Sequence, residues 1–461
     1  MTSPGKPAWD AGAFRVGRLP IIEFGRGRLD DLPERIVELG RRVLLVTGRR
    51  SLEARGRLGP LLERLAGLGC SVERVVVEGE PSPELVDGAV ARFRGAELEV
   101  VVGIGGGSVL DAAKAIAGLL RTGTSILDHL EGVGRGVPYP GPAVPFVAVP
   151  TTAGTGSEAT RNAVITRPGR DGFKRSFRDE RLVARLALVD PDLLVGLPPE
   201  AIAGNGMDAL TQLIESYVST GAGAFTDGLA LAGLEAARDS LLAWHAVVAE
   251  GPAEATTTTP RADGTTTAPR ADATTTAPSA EEATPLPPTE ATTPPADAPS
   301  PSPADEATAA LRERMAFAAL ASGICLAQAG LGAVHGIVAP LGAMTGVGHG
   351  LGCGILLAEA TRANLRALAE RAPDSPALAR YARVARILLA DPALDDEPAR
   401  AALPDLLAEW ARRLRLPRLR DVGLEEADID WIVERSRGSS MRTNPVVLTD
   451  AEVAAILRAA S

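Results

Sequence analysis

Along the first 200 positions, apolar residues come in short compact runs, separated by stretches in which they recur at helical spacing. Residues 42–47 (RVLLVT), 100–105 (VVVGIG) and 145–150 (PFVAVP) are rich in β-branched side chains, the pattern of strands buried on both faces. Between them, residues 58–68 and 83–93 carry apolar positions with a helical period. Strand, helix, strand in this order builds a parallel sheet. From about residue 197 the strand pattern fades, and residues 201–220, 227–249, 304–328, 350–370 and 376–389 are predicted helices rich in Ala and Leu. The pattern predicts a Rossmann-like α/β nucleotide-binding domain over residues 1–197 and an all-α domain over residues 198–461.

Residues 251–305 fit neither half. They are almost wholly Thr, Pro, Ala, Asp and Glu, with TTTTPRADG, TTTAPRADA and TTTAPSAEE as three imperfect copies of one unit. Too few large apolar groups are present to offset the entropy of ordering the chain, so this stretch is expected to be a disordered insertion in a loop between two helices. Closing such a loop costs little more as it lengthens.

Composition narrows the function classes. Hydrophobic residues make up 45% of the chain, enough for sizeable cores, while the formal net charge of -10 argues against a nucleic-acid partner or an acidic membrane surface held by bulk charge. Three dispersed cysteines, Cys70, Cys325 and Cys353, make neither a disulfide framework nor a cysteine-based zinc site, which fits a reducing cytoplasm. No run of 18 apolar residues and no signal-peptide core is expected.

Four stretches carry candidate chemistry. The first, GIGGGSVLDAAKAIA from Gly103, follows a predicted strand and opens a helix, so its backbone N–H groups and the helix dipole favour a phosphate. Ser108 stands where a full dinucleotide fingerprint has its last glycine, and the same residues fit a turn with Ser108 as N-cap and Asp111 completing a capping box. The second, PTTAGTGSEATRN from Pro150, is dense in hydroxyls, with Gly154 and Gly156 expected to keep the loop low beneath a ligand at the carboxyl end of the sheet. In the third, GMDALTQLIESYVS from Gly206, Asp208 and Gln212 stand four apart on one helix face. The fourth, residues 330–352, holds His335 and His349, half of the four histidines in the chain. Imidazole is the commonest protein ligand for transition metals.

In this order and at this spacing, GGGSVLDAAKA, PTTAGTGSEAT, GMDALTQLIESYVS and GLGAVHG with the later GHG resemble the iron-containing (group III) alcohol dehydrogenases. The likeness runs to GSSMRTNPVVLTDAEV at residues 438–453 and leaves out only the Thr/Pro-rich stretch. It implies a dehydroquinate synthase-like architecture with a divalent metal, Fe²⁺ or Zn²⁺, in the cleft between the domains. It also implies a homodimer that transfers hydride between NAD or NADP and a small alcohol or aldehyde, with the metal as Lewis acid and no side-chain nucleophile. The family's metal ligands fall on Asp208, Gln212, His335 and His349. Where most members have a histidine this chain has Gln212, a neutral and weaker donor. Where many have a histidine near the nicotinamide it has Ala339, so a proton relay through that side chain is absent.

Cofactor contacts carried over from the family are Ser82, Gly106, Gly107, Ser108, Thr151, Thr152, Thr155, Thr160, Asn162 and Lys174, with Asp111 beside them. After the first predicted strand the chain reads VTGRRS, so Gly48 removes the ribose-binding carboxylate often found there, and Arg49 and Arg50 follow. Arginine is the natural partner of a phosphate, so NADP is expected to be slightly favoured over NAD. Two other readings share the scaffold: a lyase, and a non-catalytic binding protein in which Gln212 and Ala339 mark a decayed site.

Overall fold

A computed structural model describes residues 13–49, 51–169, 172–250 and 303–461. Six strands, β1 (Ile21–Phe24), β2 (Arg42–Gly48), β3 (Ser71–Val77), β4 (Val100–Gly105), β5 (Phe146–Pro150) and β8 (Leu186–Val189), form one sheet in the order β1-β8-β5-β4-β2-β3. Every neighbouring pair in it is parallel. β4, β5 and β8 are buried along their whole length, because helices cover both faces of the sheet. Side chains alternate between the two cores: Val101 faces one, and Val100, Val102 and Ile104 face the other. The chain runs outward from β2 to β3 on one side and from β4 through β5 to β8 on the other. The strand order therefore reverses between β2 and β4, and open α/β sheets bind ligands at such a reversal, beyond the carboxyl ends of the strands.

The helices packed on the sheet are α1 (Leu32–Val37), α2 (Ser51–Ala54), α3 (Leu58–Gly67), α4 (Pro83–Phe93) and α5 (Gly107–Leu119). A separate antiparallel hairpin, β6 (Asn162–Arg167) with β7 (Phe173–Arg178), stands beside the sheet. From Pro199 onward the described chain is helical: α6 (Pro199–Val218), α7 (Ala224–Arg238), α8 (Leu241–Glu250), α9 (Pro303–Ala329), α10 (Ala333–Thr345) and α11 (His349–Arg371), followed by α12 to α15 (Pro376–Leu389, Asp396–Arg413, Ile429–Arg435, Asp450–Ala459).

The predicted strands and helices fall where expected, with two corrections. The helix expected over 227–249 is broken at Asp239 and Ser240, where the Ser240 hydroxyl bonds back to the Ala236 carbonyl at 2.5 Å and competes with the helical ladder. Ser108 does not cap α5: Gly106 holds the N-cap position and Ser108 lies inside the first turn, so the expected capping box does not form. The expected disordered insertion, up to residue 302, lies outside the described residues. Among the described residues no single helix is long and apolar enough to cross a membrane.

Candidate active site

A cleft of about 1260 Å³ opens between the carboxyl ends of the strands, the β6–β7 hairpin and helices α6, α10 and α11. Of the sequence-derived candidates, Gly106, Gly107, Ser108, Asp111, Thr152, Thr155, Thr160, Asn162, Lys174, Asp208, Gln212, His335 and His349 line it. Gly48 ends β2, Ser82 N-caps α4 by accepting from the Leu85 N–H at 3.2 Å, and Thr151 is buried at the end of β5; these three lie outside the lining.

On the sheet side, Gly106 and Gly107 open α5 with their backbone facing the cleft. A Cβ on Gly107 would come within 2.6 Å of the Thr155 methyl, so the two loops touch there. The loop after β5 is fixed from beneath by Lys114, whose place in the GGGSVLDAAKA motif gives no sign of that role in the sequence. Its buried ammonium donates to the Ser157 carbonyl (2.8 Å) and hydroxyl (3.0 Å), the Thr160 hydroxyl (2.9 Å) and the Asn162 carbonyl (2.6 Å). Burial pushes the Lys114 pKa down to about 8, although Asp111 and Glu158 oppose it. Asp111, expected at the cofactor, accepts from the Ser157 hydroxyl at 2.6 Å and the Val164 N–H at 3.1 Å and so joins the loop to β6.

Gly154 and Gly156 set how closely the loop approaches the helices beneath it. A Cβ on Gly154 would lie 2.8 Å from the Asn205 backbone in α6, and one on Gly156 would lie 2.3 Å from the Gly323 Cα in α9. Gly156 also has φ +60°, which L side chains rarely adopt. The glycines let the loop press close against the helices beneath it.

On the helical side, Asp208 sits in mid-helix on α6 and is 1% exposed, so it caps nothing. Its Oδ1 lies 3.3 Å from His335 Nε2 and 3.9 Å from His349 Nε2. His335 is in the first turn of α10, and its Nδ1 donates to Glu215 Oε2 at 2.7 Å, which leaves Nε2 facing Asp208. The Glu215 carboxylate also accepts from the Gly332 N–H (3.0 Å) and the Val334 N–H (2.6 Å), satisfying donors at the start of α10. Asp208, Gln212 and Glu215 occupy one face of α6. Burial alone would raise the Asp208 pKa, but His349, His335 and the Gln212 side chain outweigh it and hold the carboxyl below its ordinary value. Burial also opposes a charged His335, yet its contacts with Cys353, Asp208 and Glu215 hold its pKa well above the usual imidazole range. His349 is pushed the other way, to about 4, chiefly by burial.

The donor set fits a divalent cation. Asp208, His335, His349 and Cys353 each offer one ligand atom, and these atoms all lie within 4.8 Å of one another. The Nδ1 of His349 is buried with no hydrogen-bond partner, an orphaned polar atom beside the cluster. Gln212 is buried beside this group, with its Oε1 2.7 Å from the Ser322 hydroxyl. Cys353 was not singled out from the sequence; its signal there is its place one turn after His349 on α11.

Fold and cleft together define an α/β nucleotide-binding protein with a metal-competent helical half. Residues 20–191 match the family model for iron-containing alcohol dehydrogenase, and residues 301–461 match the C-terminal model of the Fe-containing alcohol dehydrogenase family. Alcohol dehydrogenase 4 of Schizosaccharomyces pombe is 30% identical over 466 residues, covering 99% of this chain and 91% of the relative. Lactaldehyde reductase of Escherichia coli strain K12 is 28% identical over 418 residues, covering 89% of this chain and 90% of the relative. The crystal structure of a 1,3-propanediol oxidoreductase superposes with TM-score 0.76 at 25% identity, covering 97% of this chain and 100% of that one. The chain belongs to the iron-containing alcohol dehydrogenase family. It is an alcohol and aldehyde oxidoreductase of that family, which uses NAD(P) and an iron-type metal.

Proposed function

We propose that Asp208, His335 and His349 hold a divalent metal at the floor of the cleft, and that the nicotinamide cofactor lies across Gly106, Gly107 and the Thr152–Asn162 loop toward it. The convergence of Asp208, His335 and His349 in the same cleft as the α5 N-terminus carries this reading. The bound metal supplies Lewis acidity toward the substrate's oxygen. The residues of the chain do the rest: the α5 N-terminus receives the pyrophosphate, Lys174 is poised at the cleft wall in an ion pair with Glu80 at 2.9 Å, and the buried helical side excludes water from the hydride path. Asp208→Ala is expected to lose bound metal and most of its activity while keeping the fold; full activity of that variant without metal refutes the assignment.

NADP is proposed as the slightly favoured cofactor. Gly48 brings no carboxylate to the end of β2, and Arg49 beside it is exposed, although it pairs with Glu78 at 3.2 Å; Arg50 lies outside the described residues. Turnover with NADPH at least equal to that with NADH is expected on the purified protein, and a tenfold NADH preference overturns the idea. The substrate is proposed to be a small alcohol or its aldehyde, of the kind named for the 1,3-propanediol oxidoreductase and lactaldehyde reductase relatives. A homodimer is proposed from the apolar N-terminal edge, where Phe14 is 51% and Ile21 of edge strand β1 is 69% exposed. The free thiols Cys70, Cys325 and Cys353 fit a cytoplasmic setting.

A further inference from the structure

We infer that Cys353 supplies the fourth protein ligand to the metal, as a thiolate, so that the site is Asp208, His335, His349 and Cys353 rather than a set completed by Gln212. This deepens the metal assignment above and rests on it.

Three observations carry it. The first is distance: Cys353 Sγ lies 3.8 Å from His335 Nε2, beside the 3.3 Å and 3.9 Å separations between Asp208 Oδ1 and the two imidazoles. Metal–sulfur bonds of about 2.3 Å and metal–nitrogen bonds of about 2.0–2.1 Å around a tetrahedral centre place ligand atoms roughly 3.3–3.7 Å apart; these three edges are close to that, and the other three lie within 4.8 Å and must draw in when an ion binds. The second is the helix: His349 and Cys353 are four apart on α11 and project from one face. Glycines bring that face close to its partners. A Cβ on Gly350 would lie 2.3 Å from the Gly204 carbonyl of α6, and one on Gly352 would lie 2.7 Å from the Val338 side chain of α10. The third concerns Gln212: its amide also hydrogen-bonds Asp208, but its Oε1, the atom that would ligate, accepts from the Ser322 hydroxyl at 2.7 Å.

Cys353 is 0% exposed, and burial pushes its thiol pKa up to about 12, so in an apolar pocket it would be inert. Ligation forms a metal–sulfur bond, breaks the S–H bond and releases its proton to solvent, with no change of oxidation state. The resulting set of two nitrogens, one carboxylate oxygen and one thiolate is softer than a set ending in an amide oxygen. Zn²⁺ is therefore expected to bind more tightly than Fe²⁺.

The test uses the full-length protein stripped of metal and titrated with Co²⁺. Wild type is expected to show a near-ultraviolet sulfur-to-cobalt charge-transfer band with a stoichiometry of one. Cys353→Ser should lose that band and bind Zn²⁺ at least tenfold more weakly, whereas Gln212→Ala should keep the band. Thermal melts of each variant report that it is folded, and Cys353→Ala serves if Cys353→Ser is not. A wild-type spectrum without the band, or a band that survives in folded Cys353→Ser, overturns the thiolate ligand. Cobalt binding lost in Asp208→Ala but spectrally unchanged in Cys353→Ser would leave the metal site standing and remove only Cys353. Wild-type-like cobalt binding in Asp208→Ala would instead remove the metal site itself. Zinc-edge X-ray absorption gives an independent reading, a sulfur scatterer at about 2.3 Å in wild type that is gone in Cys353→Ser.

Discussion

One carboxylate at Glu215 serves two masters: it accepts the Nδ1 proton of His335 and two backbone donors of the helix that carries His335. Partners of this kind fix the tautomer and direction of a ligating imidazole, and losing one typically weakens metal affinity by about 10–100-fold. Glu215→Gln keeps the shape and an acceptor oxygen, so a fall of roughly tenfold in metal affinity is expected, measured by competition with a chelator. Unchanged affinity would show that the ring is held by packing alone. Asp208 and Gln212 were legible through the resemblance of their motif to the iron-containing alcohol dehydrogenases; their spacing of four placed them on one helix face and no more. Glu215 stood in the same motif and was passed over, since its partner His335 is 120 residues away and a carboxylate on a helix usually faces solvent. Cys353 was hidden by its residue type, for a single thiol reads as a small apolar side chain.

The loop between β5 and β6 is held by buried charge as well as by the packing of Ala153 and Ala159, and the charge gives it a pH signature. Glu158 is 3% exposed, and burial raises its pKa to about 7 from an ordinary 4.5, against an opposing pull from Lys114. The unfolded chain therefore ionises first as pH rises. Stability is full below about 4.5, falls as pH climbs toward 7 and is level above it as far as this group is concerned. The loss amounts to at most roughly 3.5 kcal/mol at 1.36 kcal/mol per unit. Denaturant midpoints at pH 5 and pH 8 should draw together in Glu158→Gln; an unaltered difference between the two pH values sinks the account. β2, β4 and β5 were read from their compact apolar runs. The others were not: β1 and β8 have four residues each, β3 carries Glu73 and Arg74 in its middle, and β7 reads FKRSFR because its hairpin is only partly covered.

Taken as a whole, the chain changes from α/β to helical near Pro199, and that change was visible as the loss of strand patterning. What periodicity could not show is how closely the halves meet, since close backbone contact is written in glycines whose partners are far away in sequence. At Gly156 and Gly323 the loop of one half meets a helix of the other main chain to main chain, with no side chain between them. No rotamer is available there to turn aside and let the surfaces part. The halves are thus joined at the floor of the cleft as by a weld, and parting them there would strip both backbones of their packing. A weld of this kind also makes the halves share one fate on heating: calorimetry should show a single transition whose van't Hoff and calorimetric enthalpies agree, despite the two-part architecture, and two resolved peaks would refute it. Gly323→Ala, which drives a methyl into the opposing backbone, should lower that transition and begin to split it, turning one cooperative molecule into two coupled ones.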